Sequence, residues 1–494
     1  MRTRRIPGLG RWLLSSRAMA RSRLLLAAIA AVCLAPAAGA NTPAAVAAPP
    51  ALGVGGVASL QSDALTSRRA FGFVQSLCDA VGPRLAGSPA DRAAVAWGLR
   101  AMTELGFAGV HAEPVKVTHW ERGEARAEIV GDSPRSLVVA ALGGSVATPP
   151  GGITAGVIEA TSLAELEGLG ASAVRGKIVF LDPIMRRARD GGGYGEAVPS
   201  RTRGARLAQA LGAVALLLRS IGTDHDRFAH TGAKSRDDHE IPAAALSVPD
   251  AETLHRVLQQ EPATRVHVLL TPRALPPAAG ANVVGDVKGR ERPGEIVLIG
   301  AHLDSWDLGA GAIDDGAGVA IALETGRLIA ALPQRPRRTV RVVLFANEEH
   351  GLEGGEGYAA AHASEAGAHV VATEADLGSD AVFSVQWRGD PATQERFVSL
   401  ARALAPLGVD RDDSEGGVGA DVTPLLALGV PVLELRQDAS RYFDLHHTAN
   451  DTLDKIDPPT LARAAAAFAT AVWAAAEMNG DFGRVPEGHR KMRW

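Results

Sequence analysis

Cysteine is nearly absent from this chain: 494 residues contain two, Cys33 and Cys78. Cys33 falls in an N-terminal segment that reads as a removable signal, so Cys78 then stands alone and no intrachain disulfide braces the mature protein. With no His pattern beside it, Cys78 is expected to be a small buried hydrophobe. Aromatic residues make up only 4% of the chain, which leaves Ala, Val and Leu to fill a core of helices packed closely on a sheet. Charge of one sign is also lacking. A formal net charge of −4, with no clustered Lys and Arg, excludes a phosphate-backbone partner, and nucleic acid with it. Neither G-x-S-x-G nor H-E-x-x-H occurs, which removes the serine-hydrolase and single-helix zinc-protease readings.

The apolar run from Leu24 to Leu34 is shorter than the roughly 20 residues that span a bilayer. Arg-rich residues 1–23 precede it and Ala38-Gly39-Ala40 follows it, the layout of a cleavable signal peptide over residues 1–40. Export to a periplasmic or extracellular space follows, with no membrane span in the mature chain. Met19 offers a second start that makes the signal more compact. Residues 41–60, rich in Ala, Pro and Gly, form a flexible lead-in.

Helical periodicity then runs from Thr66 to Val81 and, after Gly82-Pro83, from Pro89 to Leu105, within a first catalytic segment over residues 61–123. Residues 124–280 have a different texture: short β-like runs at Ser136–Leu142, Lys177–Asp182 and Ala213–Leu218, with a helix at Gly204–Leu211. This segment reads as an insertion. Gly191–Gly193, with no Gly-Lys-Ser/Thr after it, reads as a plain loop, and His225, His230 and His239 as members of a solvated loop without ligand spacing. Residues 281–494 alternate regularly between strand and helix. Strands are expected at Glu295–Ala301, Thr339–Ala346, His369–Glu374 and Val430–Leu435, and helices at Gly316–Ala331, Gly355–Ala363, Ala392–Ala405 and Pro459–Met478. Such alternation predicts an α/β fold, a mixed but mostly parallel sheet sandwiched by helices.

In a parallel sheet the ligand site lies at the carboxyl ends of the strands. His302 and Asp304 follow the first of these strands, Glu348 and Glu349 the second, and Asp376 the third; Asp314 lies in the Gly-rich loop between, and His446 and His447 follow the fourth. Adjacent acids usually mark a solvated helix start, and a lone His is usually a surface residue. The conjunction of these types at successive strand ends points instead to one metal site. Imidazole and carboxylate without thiolate suits catalytic zinc. Asp304 is placed to accept the second imidazole N–H of His302, and a carboxylate adjacent to a ligand makes a natural base.

The motifs AHLDSWDLGAGAIDDGAG, FANEEHG, TEADLGS and YFDLHHTANDT, with GPRLAGS at Gly82–Ser88, together resemble the co-catalytic zinc aminopeptidase family, most closely its plasma glutamate carboxypeptidase (carboxypeptidase Q) branch. The resemblance covers roughly residues 66–123 and 280–478. It implies two zinc ions per chain, bridged by Asp314, with His302 and Asp376 completing one site and Glu349 and His446 the other. Glu348 is then the general base, Asp304 the partner of His302, and His447 a neighbour of the ligand, although the sequence admits either imidazole. The stretch from Val174 through Leu246 is similar to a protease-associated domain, implying a non-catalytic, β-rich insertion. The resemblance also implies dipeptide or short peptide substrates and homodimerisation.

The expected reaction is hydrolysis near a peptide end, by a water that the metals acidify and Glu348 deprotonates. Two rivals share the fold: a glutaminyl cyclase-like acyltransferase, needing one zinc, and a metal-free binding protein, which would have lost ligands. The complete ligand set favours the peptidase.

Overall fold

Sixteen strands fall into two eight-stranded mixed sheets in a computed structural model that describes residues 54–234 and 241–491. The expected signal peptide, residues 41–53 of the lead-in, and His239 lie outside the described residues. In chain order the strands are β1 (Ala108–Glu121), β2 (Ala125–Val130), β3 (Arg135–Leu137), β4 (Val139–Ala141), β5 (Ile153–Ala160), β6 (Ile178–Leu181), β7 (Ala215–Arg219) and β8 (Ala243–Leu246). They continue as β9 (Arg265–Leu270), β10 (Arg273–Val287), β11 (Arg292–His302), β12 (Arg338–Phe345), β13 (His369–Glu374), β14 (Val382–Arg388), β15 (Asp410–Glu415) and β16 (Val432–Gln437).

The first sheet has the order β1-β10-β12-β11-β13-β16-β14-β15. Its centre, β12-β11-β13-β16, is entirely parallel, and those strands carry runs such as Ile296–Ile299 and Val342–Phe345 that are buried throughout. Helices on both faces require such continuous apolar strands. On one face the Ala-rich helix Pro458–Glu477 packs against helices Val54–Thr66, Ala317–Ala330 and Gln394–Leu404. Its alanines, all buried, let the backbones approach closely.

The second sheet, β3-β2-β9-β5-β6-β7-β8-β4, is built wholly from residues 125–270. The chain enters and leaves it through the antiparallel pair β1 and β10. Because β10 begins at Arg273, residues 273–280 belong to the first sheet, and the expected insertion boundary moves back about ten residues.

Two local expectations are corrected. Residues 54–60 are the start of helix Val54–Thr66 rather than lead-in. Gly192 and Gly193 open the helix Gly192–Ala210, with only Gly191 outside it, in the left-handed region at φ 72°. The helix interior carries Pro199, and that composition conceals it from periodicity alone. Helix starts elsewhere follow capping chemistry. Ser88 Oγ accepts from Asp91 N at 3.1 Å ahead of Pro89, and Ser162 Oγ from Glu165 N while Glu165 Oε2 reaches back to Thr161 N. Cys78 is half-buried, 3.9 Å from the Ala310 carbonyl, and burial pushes its thiol up to about 11.

Candidate metal centre

The four central parallel strands deliver their carboxyl ends to one place. β11 ends on His302 and β12 leads into Asn347-Glu348-Glu349; β13 leads into Asp376, and β16 into the short helix Tyr442–Leu445 that precedes His446 and His447. His302 is 1% exposed. Its Nε2 lies 3.2 Å from Asp314 Oδ1 and 3.5 Å from Asp376 Oδ1. Its Nδ1 lies 3.2 Å from the Asp304 carbonyl oxygen and 3.6 Å from Asp304 Oδ1. Asp304 Oδ1 also accepts from Glu348 N at 3.0 Å, tying the first two strand ends together.

Asp314 sits centrally. Its Oδ1 faces His302, and its Oδ2 lies 3.3 Å from His447 Nε2 and 3.7 Å from His446 Nε2. Glu349 Oε2 stands 2.8 Å from His447 Nε2. Hence the structure brings His302, Asp304, Asp314, Glu349, Asp376, His446 and His447 together, with Glu348 lining the same cavity.

Neighbours absent from the sequence reading fix the loop that carries Asp314. Asp315 Oδ2 accepts from His302 N at 3.1 Å and Oδ1 from Gly318 N at 3.0 Å. A Cβ at Gly318 would stand 1.9 Å from the Ala375 carbonyl and 2.2 Å from Asp315 Oδ1, so only glycine fits. Asp451 accepts from Ile313 N and Asp314 N at 2.6 and 3.3 Å. Arg84, from GPRLAGS, is fully buried and donates to the carbonyls of Leu303, Ala310 and Gly311 at 2.5, 2.9 and 2.8 Å.

The histidine pair is held from the second sheet's side. His230, expected in a solvated loop, is buried: its ring pairs with Asp224 Oδ1 at 2.5 Å and with the His446 carbonyl oxygen at 2.8 Å. The surface expectation fits His225, which is exposed and, among the described residues, pairs with Glu252. Thr231 N donates to the His447 carbonyl at 3.0 Å, and His447 Nδ1 lies 3.3 Å from the Thr231 carbonyl. A proton on Nδ1 satisfies that carbonyl and leaves Nε2 with a lone pair toward Asp314 and Glu349. The His446 ring stacks on His447 at 3.4 Å, and its Nδ1 is buried with no hydrogen-bond partner.

The charge balance calls for cations. Burial, reinforced by neighbouring acids, pushes Glu348, Glu349, Asp315 and Asp421 well above the carboxylate range and Glu374 up to about 8. Against burial, hydrogen bonds to Asp304, Asp314 and Asp376 hold His302 well above its ordinary value. Burial takes His446 and His447 downward, keeping both imidazoles neutral, the form that ligates. Asp314 Oδ2 and Glu349 Oε1 are buried without hydrogen-bond partners. Ligand atoms of His302, Asp314 and Glu349, of Asp314, His446 and His447, and of His302, Asp315 and Asp376 each lie within 4.8 Å of one another. Orphaned carboxylate oxygens beside neutral imidazoles, without thiolate, fit zinc.

Comparison with known proteins agrees. Residues 282–472 match the model of peptidase family M28. Mouse carboxypeptidase Q is 34% identical over 413 residues, 83% of this chain and 86% of that protein. The chain belongs to peptidase family M28. The human carboxypeptidase Q is likewise 34% identical over 413 residues, with the same shares of each chain. Among solved structures, a peptidase M28 precursor from Shewanella amazonensis superposes with a TM-score of 0.85 at 44% identity, covering 87% of this chain and 98% of that one. A zinc aminopeptidase from Bacillus subtilis shares the fold, with a TM-score of 0.62 at 21% identity, covering 84% of this chain and 97% of that one. This M28 protein is therefore a zinc metallopeptidase of the exopeptidase type, acting on peptides. No described helix is long and apolar enough to cross a membrane.

Proposed function

We propose that this M28 peptidase is an exported, binuclear zinc exopeptidase that hydrolyses dipeptides or short peptides, with Glu348 as its general base. The observation that carries the proposal is the position of Asp314: one oxygen faces His302 and the other faces the His446-His447 pair, so a single carboxylate serves two ligand groups. One group is His302, Asp314 and Asp376. The other is Asp314, Glu349 and an imidazole, for which His447 is the better candidate than His446. Its Nε2 is nearer both acids, and its Nδ1 meets a carbonyl that fixes the ring.

When bound, zinc ions here would supply an acidified water and a positive field at the scissile carbonyl oxygen. The protein's groups do the rest. Glu348 takes the proton of the attacking water and returns it to the leaving amine, a role suited to a carboxylate whose proton affinity is raised by burial and by Asp376 and Glu349. The Asp304 carboxylate anchors the backbone at Glu348 and stands beside His302 Nδ1, so one side chain orients both base and ligand. The cavity of about 670 Å³ falls in the range that holds small ligands. The second sheet, similar in sequence to a protease-associated domain, acts in this reading as the wall that closes the cleft.

Glu348→Gln tests the base. The variant is expected to keep its zinc content while kcat falls by about 10²- to 10⁴-fold; near-normal turnover would remove Glu348 from that role.

A further inference from the structure

Three residues other than glycine take a positive φ among the described residues: Asn347 at 54°, Leu352 at 62° and His447 at 64°. All three lie on the loops of the candidate metal centre, and two of them bracket Glu348-Glu349-His350-Gly351. Left-handed backbone disfavours L side chains, Asn less than most and β-branched residues above all. Such outliers persist where the surrounding structure enforces them, and they gather at functional sites. The enforcement here is visible. After β12 the chain doubles back, closed by Leu352 N donating to the Asn347 carbonyl at 2.7 Å and Gly354 N to the Ala346 carbonyl at 2.8 Å. Asn282, on β10, grips both ends of this turn: its Oδ1 accepts from Ala346 N at 3.0 Å, and its Nδ2 donates to the Gly354 carbonyl at 2.9 Å.

The Asn347 side chain adds a clasp. It is fully buried, and its Nδ2 donates to Glu353 Oε2. Glu353 Oε1 in turn accepts from Thr118 Oγ1 at 2.7 Å and from Thr118 N at 3.3 Å. Thr118 lies where the register of β1 against β10 slips, between Val117 and His119, a device that re-aims a strand's groups beside a site. Asn347 Oδ1, by contrast, is buried with no hydrogen-bond partner. An unmet buried amide oxygen costs free energy, so the clasp accounts for only half of this side chain. The other requirement is on the backbone, which at this corner must take a φ that asparagine tolerates.

Glu348 comes next in the chain. Its N–H is held by Asp304 Oδ1 at 3.0 Å, and its side chain lines the cavity. The peptide that joins Asn347 to Glu348 is thus fixed on one side by the left-handed corner and on the other by Asp304.

We propose that Asn347 is a positioning residue: its left-handed backbone, steadied by the clasp through Glu353 to Thr118, aims the Glu348 carboxylate into the cavity. This rests on the reading of Glu348 as the base. Misplacing a reacting group by about 1 Å costs about 10²-fold in rate, so a small rotation at this corner is felt in turnover before it is felt in binding.

The test is steady-state kinetics of the zinc-loaded enzyme on a dipeptide, with zinc per chain measured for every variant. Asn347→Val, which penalises the left-handed corner, is expected to lower kcat by about 10- to 100-fold, with KM within about threefold of wild type and zinc content unchanged. Asn347→Gly, which takes the corner without strain, is expected to bring kcat back to within about fivefold of wild type. Asn347→Ala, lacking the β-branch, gives the same ordering with a smaller loss where the valine variant does not fold. A lowered thermal midpoint with kcat intact marks a merely structural residue and overturns the proposal. So does a loss that glycine does not relieve, or one that added zinc restores, which makes Asn347 a support of Glu349 instead. Glu348→Gln is measured alongside. Near-normal turnover there defeats the base reading and this proposal with it, whereas an inactive Glu348→Gln leaves the Asn347 variants to decide the positioning role by themselves.

Discussion

At the residue scale, the sequence shows where the candidate ligands gather, but not which of the two adjacent histidines belongs among them. His302 closes β11, Asp376 stands two residues beyond β13 and Glu349 four beyond β12, so each apolar run fixes where its residue emerges. The choice between His446 and His447 depends on a backbone reversal, φ 64° at His447, and on Thr231, more than 200 residues earlier in the chain. Neither leaves a local trace. Asp315, Asp421 and Asp451 were passed over for a related reason: their work is to hold backbone amides, which no spacing rule marks. The preference for His447 has a direct consequence. His447→Ala is expected to lose about one zinc per chain, while His446→Ala keeps its full complement, both read by elemental mass spectrometry on folded protein. The reverse pattern returns the ligand role to His446.

At the element scale, legibility followed burial. The expected strand His369–Glu374 matches β13 residue for residue, and the expected Pro459–Met478 helix differs by one residue at each end, because buried elements carry unbroken apolar periodicity. β1, with Pro114, and β10, with Pro276 and Pro277, form a long, partly exposed ribbon, and β15 reads Asp-Arg-Asp-Asp-Ser-Glu. Such strands exist through pairing with a neighbour, and their own sequences argue against them. The contact between β13 and the helix Glu353–Ala361 carries a pH signature. His369 is buried, its Nε2 2.9 Å from Tyr358 Oη and its Nδ1 3.2 Å from the Glu365 carbonyl. Arg341 and His362 also bear on it, and Glu365 faces it with opposite charge. Burial takes its pKa down to about 4, against about 6.5 for an unfolded chain. Between those values the unfolded chain binds the extra proton and the folded one does not. His369 therefore stabilises fully above about pH 6.5 and loses up to about 3 kcal/mol as pH falls to about 4. His369→Gln should flatten the fall in thermal midpoint over that window; an unchanged slope would show that His369 is not the group responsible.

At the scale of the whole molecule, the sheet order turns sequence-distant motifs into one site. Because β12, β11, β13 and β16 are parallel neighbours, their carboxyl ends converge, and this much followed from the alternation of strand and helix. The reach of the second sheet's loops did not. Arg187 grips Asp444 with both terminal nitrogens, Thr223 bonds Asp444 and the Phe443 carbonyl, and His230 and Thr231 hold the backbone of His446 and His447. The candidate metal centre is therefore held from both sheets, and zinc bound there should stabilise both. Removing zinc with a chelator is expected to lower the thermal midpoint and abolish activity, with both returning when zinc is restored.

The most direct measurement is zinc per chain in the purified mature protein, by elemental mass spectrometry, with dipeptide hydrolysis followed on the same sample. Two zinc ions per chain and chelator-sensitive release of free amino acids are expected. A single zinc without peptidase activity would contradict that expectation and favour a cyclase-like acyltransferase, and no zinc with no rescue by added metal would make this a binding protein.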